Sequence, residues 1–257
     1  MNVKNYYLLI FAFIAVTIKW SVSFYYFPEA LDTKIIHDSV SDAKLYYPLI
    51  KFLSELNFNY SYDPEIQNLK LIPLPFWGIF FHGLFLKIFG FYSFIILDLF
   101  CVFIVLIIFF YVFKIFFSED TSIILSILFF LLPIIISNTF LQNIQYFNLF
   151  SEAFYNLRVP RPMITNLYFF SFILIMLKIV TERFYSIKNF VLIGAIMALS
   201  LSSFYYHFFT EILLFLFVLI YKFKNKFILE LKNNLKYYLI LTIVFLVISL
   251  PFFLNLY

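Results

Sequence analysis

The feature that most limits what this chain can fold into is the run from Ser93 to Phe117, which carries only two charged side chains, Asp98 and Lys114. A bilayer core of about 30 Å takes roughly 20 apolar residues of helix. In hydrocarbon the segment must also satisfy its own backbone N–H and C=O groups, which a lone apolar run does by becoming a helix. Comparable runs recur at 6–27, 121–138, 164–182, 187–204, 208–222 and 236–256. Composition agrees: with 64% hydrophobic and 12% charged residues there is too little polar surface to solvate a globule of this length. The expected fold is all-α, a polytopic helical membrane protein with about seven transmembrane helices forming a single module over 1–257.

One segment, 74–90, is apolar but ambiguous. It carries His82, Lys87 and two of its three glycines in its interior, and it is short for a span. Charge placement decides the matter, because Lys and Arg of short loops stay on the cytoplasmic side. If 74–90 crosses, the cluster Lys222, Lys224, Lys226, Lys232 and Lys236 falls outside. If it lies in the outer interface, that cluster falls inside together with Lys4, Lys114, Lys178, Arg183 and Lys188. The reading is therefore seven spans with a cytoplasmic N-terminus, an external loop 28–92, a second outer loop 139–163 and a tight outer turn at 204–208. The first run is too long for a cleavable signal and no small-residue cleavage site follows it, so it is expected to remain as a helix. The end at Pro251 to Tyr257 is abrupt enough to expect a fragment of a longer protein or a minimal core.

The external loop 28–92 holds half of the fourteen carboxylates: Glu29, Asp32, Asp38, Asp42, Glu55, Asp63 and Glu65. Ser39-x-x-Asp42 has capping-box spacing, and Leu45, Leu49, Phe52, Leu53 and Leu56 recur at helical intervals. An amphipathic interfacial helix over 39–57 follows, with a restart at Pro48, and a second interfacial helix over 74–90. In the second outer loop Arg158 and Arg161 sit between prolines in Leu157-Arg-Val-Pro-Arg-Pro162, a rigid cationic platform at the height of a lipid phosphate, for which guanidinium is suited. Contact with lipid headgroups is the plainer reading, and Glu152 is expected to partner these arginines. His207 and Glu211 stand four apart at the outer start of the sixth span and share a helix face, either as a cap pair or as a site for substrate or a cation. Lys19 is expected to pair with an acid of the first loop, Asp98 sits near the outer end of the second span, and His37 and His82 are weaker candidates. Cys101 reads as a buried structural thiol, with no disulfide framework.

Asp42-x-x-x-Tyr46, then Pro73-x-Pro75-Phe76-Trp77, then Phe89-Gly90 resemble the N-terminal signature of the GT-C glycosyltransferases, in particular glycosyltransferase family 39, the protein O-mannosyltransferases and the lipid A aminoarabinose transferases. Convincing similarity covers residues 1–120. Departures are Ala43 in place of a second acid, Leu74 between the prolines, and Asp98-Leu99 in place of an Arg-Leu. The resemblance implies transfer of a sugar from a polyprenyl-phosphate donor to a lipid, glycan or protein acceptor at the outer face of the plasma (inner) membrane. It implies Asp42 as the catalytic base with Asp38 in reserve, Tyr46, Arg158, Arg161, His207 and Glu211 around substrate and phosphate, and room for a divalent cation whose ligands are unknown.

Other classes fit less well. No Gly-rich phosphate loop, His-Glu-x-x-His or nucleotide-sugar fold is present, and the cytoplasmic loops are too short to bind a nucleotide donor. Nothing points to nucleic acid. A transporter or flippase calls for broken Gly/Pro-rich helices in paired halves, and the chain has four glycines in all. A noncatalytic membrane scaffold of the same fold is the main alternative, and Ala43 is its strongest support.

Overall fold

A computed structural model describes residues 3–26, 43–56, 76–137, 163–181 and 184–254. Among these residues every element is helical: α1 (Val3–Tyr26), α2 (Ala43–Ser54), α3 (Phe76–Phe89), a 3-10 turn (Gly90–Tyr92), α4 (Ser93–Lys114), α5 (Glu119–Ser137), α6 (Met163–Thr181), α7 (Ile187–Leu201), α8 (Tyr205–Phe223), a 3-10 turn (Lys224–Lys226), α9 (Phe227–Asn233) and α10 (Leu235–Leu254). Four helices are long and apolar enough to cross a membrane: α4, Ile164–Thr181 of α6, α8, and Leu235–Phe253 of α10. The apolar parts of α1 (Asn5–Ser21), α3 and α7 are shorter. The chain divides into two compact units, Met1–Phe58 with Gly78–Leu167, and Asn59–Trp77 with Tyr168–Tyr257.

In the first unit α1 packs on α4 and α5, and α4 on α5. Leu8, Ala12, Val16 and Trp20 are buried at four-residue intervals, so they form one stripe of α1. On α4 the buried set includes Leu97, Cys101, Val105 and Ile108. Phe11 meets Phe130 edge-on, and Phe109 meets Phe129 in the same way. The remaining surface of α1 leaves Ile10, Phe13, Ile14 and Ile18 exposed. Such a surface suits lipid and is costly in water. The α4–α5 turn is closed by polar groups: the Ser118 hydroxyl accepts from Thr121 N–H, and Lys114 pairs with Glu119. Glu119 and Asp120 occupy the first turn of α5, where the helix dipole favours acids.

The segment between α1 and α4 is where the local signals meet packing. The helix α2 runs unbroken through Pro48 rather than restarting there. Its proline lies early in the helix and withholds a hydrogen bond only from the carbonyl of Lys44, in the first turn. At its end Leu56 takes φ 58°, a left-handed cap. α3 has 14 residues, about 21 Å at 1.5 Å per residue, too short for the hydrocarbon core. A Cβ on Gly83 of α3 would stand 3.0 Å from Ser54 N and 3.1 Å from Ile50 O, so the two short helices touch backbone to backbone. Gly90, at φ 58°, then lets the chain turn sharply into α4.

In the second unit α7 packs on α10 and α8. Phe190 meets Tyr237 and Tyr238, and Gly194 meets Leu241, so α7 and α10 run parallel in a fixed register. Gly194, Ala198 and Ser202 place a small residue at every fourth position, the spacing that lets membrane helices approach closely. Lys222 reaches back to donate to the carbonyls of Ile179 (2.9 Å) and Val180 (3.2 Å), closing the C-terminal end of α6. The basic stretch after α8, expected only as a loop, folds into a 3-10 turn and α9. The turn expected at 204–208 is instead at 202–204, because α8 starts already at Tyr205.

The Gly194 contact is testable. On helix propensity alone, Gly194→Ala should stabilise α7 by about 1 kcal/mol. A Cβ there would lie 2.5 Å from Leu241 O, so the helices must separate. Overpacking then dominates, and Gly194→Ala is expected to cost about 1–3 kcal/mol, read as a lower Tm in detergent. An unchanged or raised Tm would refute the close approach.

Candidate functional site

Two clusters of polar side chains are buried among the described residues, one in each unit. In the first, Lys19 and Trp20 are neighbours on α1 and both reach Asp98 on α4. Lys19 Nζ lies 2.6 Å from Asp98 Oδ2, and Trp20 Nε1 donates to the same oxygen at 3.0 Å. The side chains of Lys19 and Asp98 are 14% and 19% exposed. The first-loop acids expected to pair with Lys19, apart from Glu55, lie outside the described residues; among the described residues Lys19 pairs with Asp98. Asp98 sits one and a half turns into α4, level with the C-terminal part of α1, and so meets Lys19 directly. Trp20 as a donor to that carboxylate was not legible, since an apolar-run tryptophan has no local signal for its N–H partner.

His82 of α3 is buried, with its ring 5.8 Å from that of Phe94 on α4. Burial, with a further push from the Lys19 ammonium, lowers its pKa from 6.5 to about 3, so the imidazole is neutral at ordinary pH. Tyr47 of α2 lies 6.4 Å from the same Phe94 ring, and partial burial raises its phenol above the usual range. Thus α2, α3 and the start of α4 join around Phe94. Beside the Lys19–Asp98 pair, α1 and α4 flank an apolar groove of about 230 Å³ lined by Val16, Trp20, Phe24, Ile96 and Leu99 among others.

In the second unit Ser200 near the end of α7 donates from Oγ to Glu211 Oε1 of α8 at 2.7 Å. Glu211 is 0% exposed. His207, one turn earlier on α8, stacks on Phe169 of α6 at 4.9 Å and meets Phe204 edge-on at 4.7 Å. Because α8 starts at Tyr205 rather than 208, His207 lies in its first turn and Glu211 in its second, and the bonded partner of Glu211 is a hydroxyl of the neighbouring helix. Ser200 was not singled out from sequence, because its role depends on which face of α7 turns toward α8.

Of the other sequence candidates, Asp38, Asp42, Arg158 and Arg161 lie outside the described residues, as do His37 and Glu152. Tyr46 falls in the first turn of α2. Cys101 is buried as a free thiol on α4. Among the described residues no three His, Cys, Asp or Glu side chains come together in the manner of a metal site. What the arrangement can do chemically differs between the clusters. Asp98 is engaged by a cation and an indole N–H on one oxygen, a structural use of a carboxylate. Among the described residues Glu211 has only a hydroxyl, on one oxygen, and so keeps binding capacity.

Removing one partner of a buried pair leaves an uncompensated charge, which costs about 3–5 kcal/mol when burial is complete. Given the residual exposure of this pair, Asp98→Ala is expected to cost about 2–3 kcal/mol, and Lys19→Met with Asp98→Leu together less than either alone. Thermal unfolding of Asp98→Ala, of Lys19→Met and Asp98→Leu singly, and of the double variant in detergent checks this. A double variant as unstable as the sum of the singles would show that the pair is not coupled.

No protein-family model, no curated protein and no solved structure matches this chain.

Proposed function

We propose that the chain is an integral-membrane glycosyltransferase of GT-C type, transferring a sugar from a polyprenyl-phosphate donor to an acceptor at the outer membrane face. The observation that carries this reading is the build of the segment between α1 and α4. It contains two short helices in backbone contact at Gly83, neither long enough to span, with Asp42-x-x-x-Tyr46 at the entry to the first and Pro75-Phe76-Trp77 at the entry to the second. That is the order of acid, interfacial helix and Pro-aromatic segment on which the resemblance rests.

In this reading α1, α4, α5, α6, α7, α8 and α10 are seven spans of the plasma (inner) membrane. The N-terminus and the lysines of 222–236 are cytoplasmic, and α2 and α3 lie in the outer interface. The acceptor oxygen or nitrogen attacks the anomeric carbon, its proton passes to the Asp42 carboxylate, and the bond from that carbon to the phosphate oxygen breaks. Arg158 and Arg161 compensate the charge gathering on the departing polyprenyl phosphate. Asp38 is the reserve base, and Tyr46, one turn from Asp42, faces the same task of holding substrate. A noncatalytic scaffold of the same fold is the second reading, favoured by Ala43 where the resembled families carry an acid.

Membranes expressing the wild type are expected to transfer label from a radiolabelled polyprenyl-phosphate sugar, and Asp42→Asn to lose about 10²–10⁴-fold of that rate. Equal transfer by both proteins removes Asp42 as the base, and no transfer from any donor favours the scaffold. Topology is checked separately by cysteine labelling in intact cells. An impermeant external thiol reagent should modify Phe85→Cys and spare Lys226→Cys; the reverse pattern would overturn the seven-span arrangement.

A further inference from the structure

Where α8 passes into α10, the second unit carries an excess of positive charge that its own side chains leave unmatched. Four helix ends meet there. Lys222 at the end of α8 donates to the carbonyls of Ile179 and Val180 at the end of α6. Tyr185, just before α7, has its ring 5.7 Å from that of Phe223 and 5.3 Å from that of Tyr237 at the start of α10. Lys188, Lys224, Lys226, Lys232 and Lys236 belong to this end, and all are exposed. Among the described residues none of them forms an ion pair. Glu230 is the one carboxylate among the described residues of this end, and its Oε2 already accepts from Asn234 Nδ2 at 3.0 Å.

The same stretch is apolar on its outside. In α9 Ile228 and Lys232 stand one turn apart and share a face, with Leu229 beside them. Ile228 is 68% and Leu229 56% exposed. A face that mixes isoleucine, leucine and lysine suits neither water nor hydrocarbon. It fits the boundary between them, where the apolar groups enter the acyl region and the lysine stems reach back to the headgroups. The chain itself holds α9 at that boundary. Both α8 and α10 are long and apolar enough to cross a membrane, about 28 Å and 30 Å at 1.5 Å per residue, so residues 224–234 join two crossings on one side.

We propose that this end of the second unit is a docking surface for anionic phospholipid. Its five exposed lysines meet the headgroup phosphates, and Ile228 and Leu229 enter the acyl boundary beneath them. A zwitterionic headgroup brings its own cation beside the phosphate and so offers the lysines no net charge, whereas an anionic one supplies a full charge at each contact. Fixing the orientation of the chain needs only lysines somewhere in this connection. An outward apolar pair beside them, and the lack of a free carboxylate to answer them, are what make a binding surface. An acidic protein segment would match the lysines but leave Ile228 and Leu229 in need of apolar groups that a bilayer already provides. The surface rests on the membrane embedding of α8 and α10 and on none of the residues assigned to sugar transfer.

The test uses the full chain in detergent micelles doped with phosphatidylglycerol or, in parallel, with phosphatidylcholine, and reads thermal unfolding. Phosphatidylglycerol is expected to raise Tm saturably and phosphatidylcholine to leave it unchanged. Each lysine near an anionic surface contributes roughly fivefold to binding, so Lys224→Gln, Lys226→Gln and Lys232→Gln combined should raise the phosphatidylglycerol midpoint about a hundredfold. Ile228→Ser with Leu229→Ser should raise it roughly tenfold or more. All these side chains are exposed, and Lys87→Gln, at an exposed lysine of α3, should leave the midpoint unchanged. An equal response to both lipids overturns the proposal, and so does an unchanged midpoint in either the lysine or the apolar variant, or an equal shift in Lys87→Gln. Glycerol 3-phosphate as effective as the lipid would assign the lysines to a soluble anion, and polyglutamate as effective would assign them to an acidic protein; either result overturns it too. No arm reads sugar transfer, so failure here and failure of the glycosyltransferase reading are separable.

Discussion

A backbone in hydrocarbon has no water to fall back on, and the rest of this structure depends on that constraint. Each apolar run closes its hydrogen bonds on itself as a helix, and hydrophobic burial then has little power to hold helix to helix, since lipid is as apolar as leucine. Cohesion comes from close fit. In the second unit α7 meets α10 where Gly194 admits the Leu241 carbonyl, and in the first unit Gly83 lets α3 rest on the end of α2. With four glycines in the whole chain, two of them are placed at helix–helix contacts and a third, Gly90, at the sharp turn into α4.

Charge is handled under the same constraint in two ways. Asp98 has its neutralising cation on the adjacent helix and an indole N–H in support, so the cluster is closed and holds α1 to α4. Glu211 has a hydroxyl on one oxygen and, among the described residues, no partner on the other. The first arrangement consumes its binding capacity in packing, and the second retains it. Neutral His82 sits beside the first cluster because a second positive charge next to Lys19, away from water, would be doubly unfavourable.

The positions of the long helices were legible from the apolar runs to within a few residues, and so were the two short helices between α1 and α4. The reason is local: an apolar run needs no knowledge of its neighbours to become a helix, and Ser118 with Glu119 and Asp120, or Ser186 accepting from Asn189 N–H, marks where a helix starts. Pro48 misled because proline is read as a breaker without regard to how early in the helix it falls. The folding of 224–233 into helical turns was hidden by its lysines, which advertise topology rather than conformation.

Partnership was the part that remained hidden. His207 and Glu211 were legible as a pair on one helix face because i to i+4 spacing is a property of a single helix. That Glu211 turns to Ser200, that Lys19 meets Asp98, and that Ser203 and Ser249 are buried without partners among the described residues depend on the rotation and register of one helix against another. The sequence alone therefore determined an all-helical, membrane-embedded chain and the locations of its charges, because hydrophobic length and backbone self-satisfaction act within a segment. Only the tertiary structure decided which of those charges are neutralised within the protein and which stays open, because that is settled by contacts between segments that no local pattern encodes.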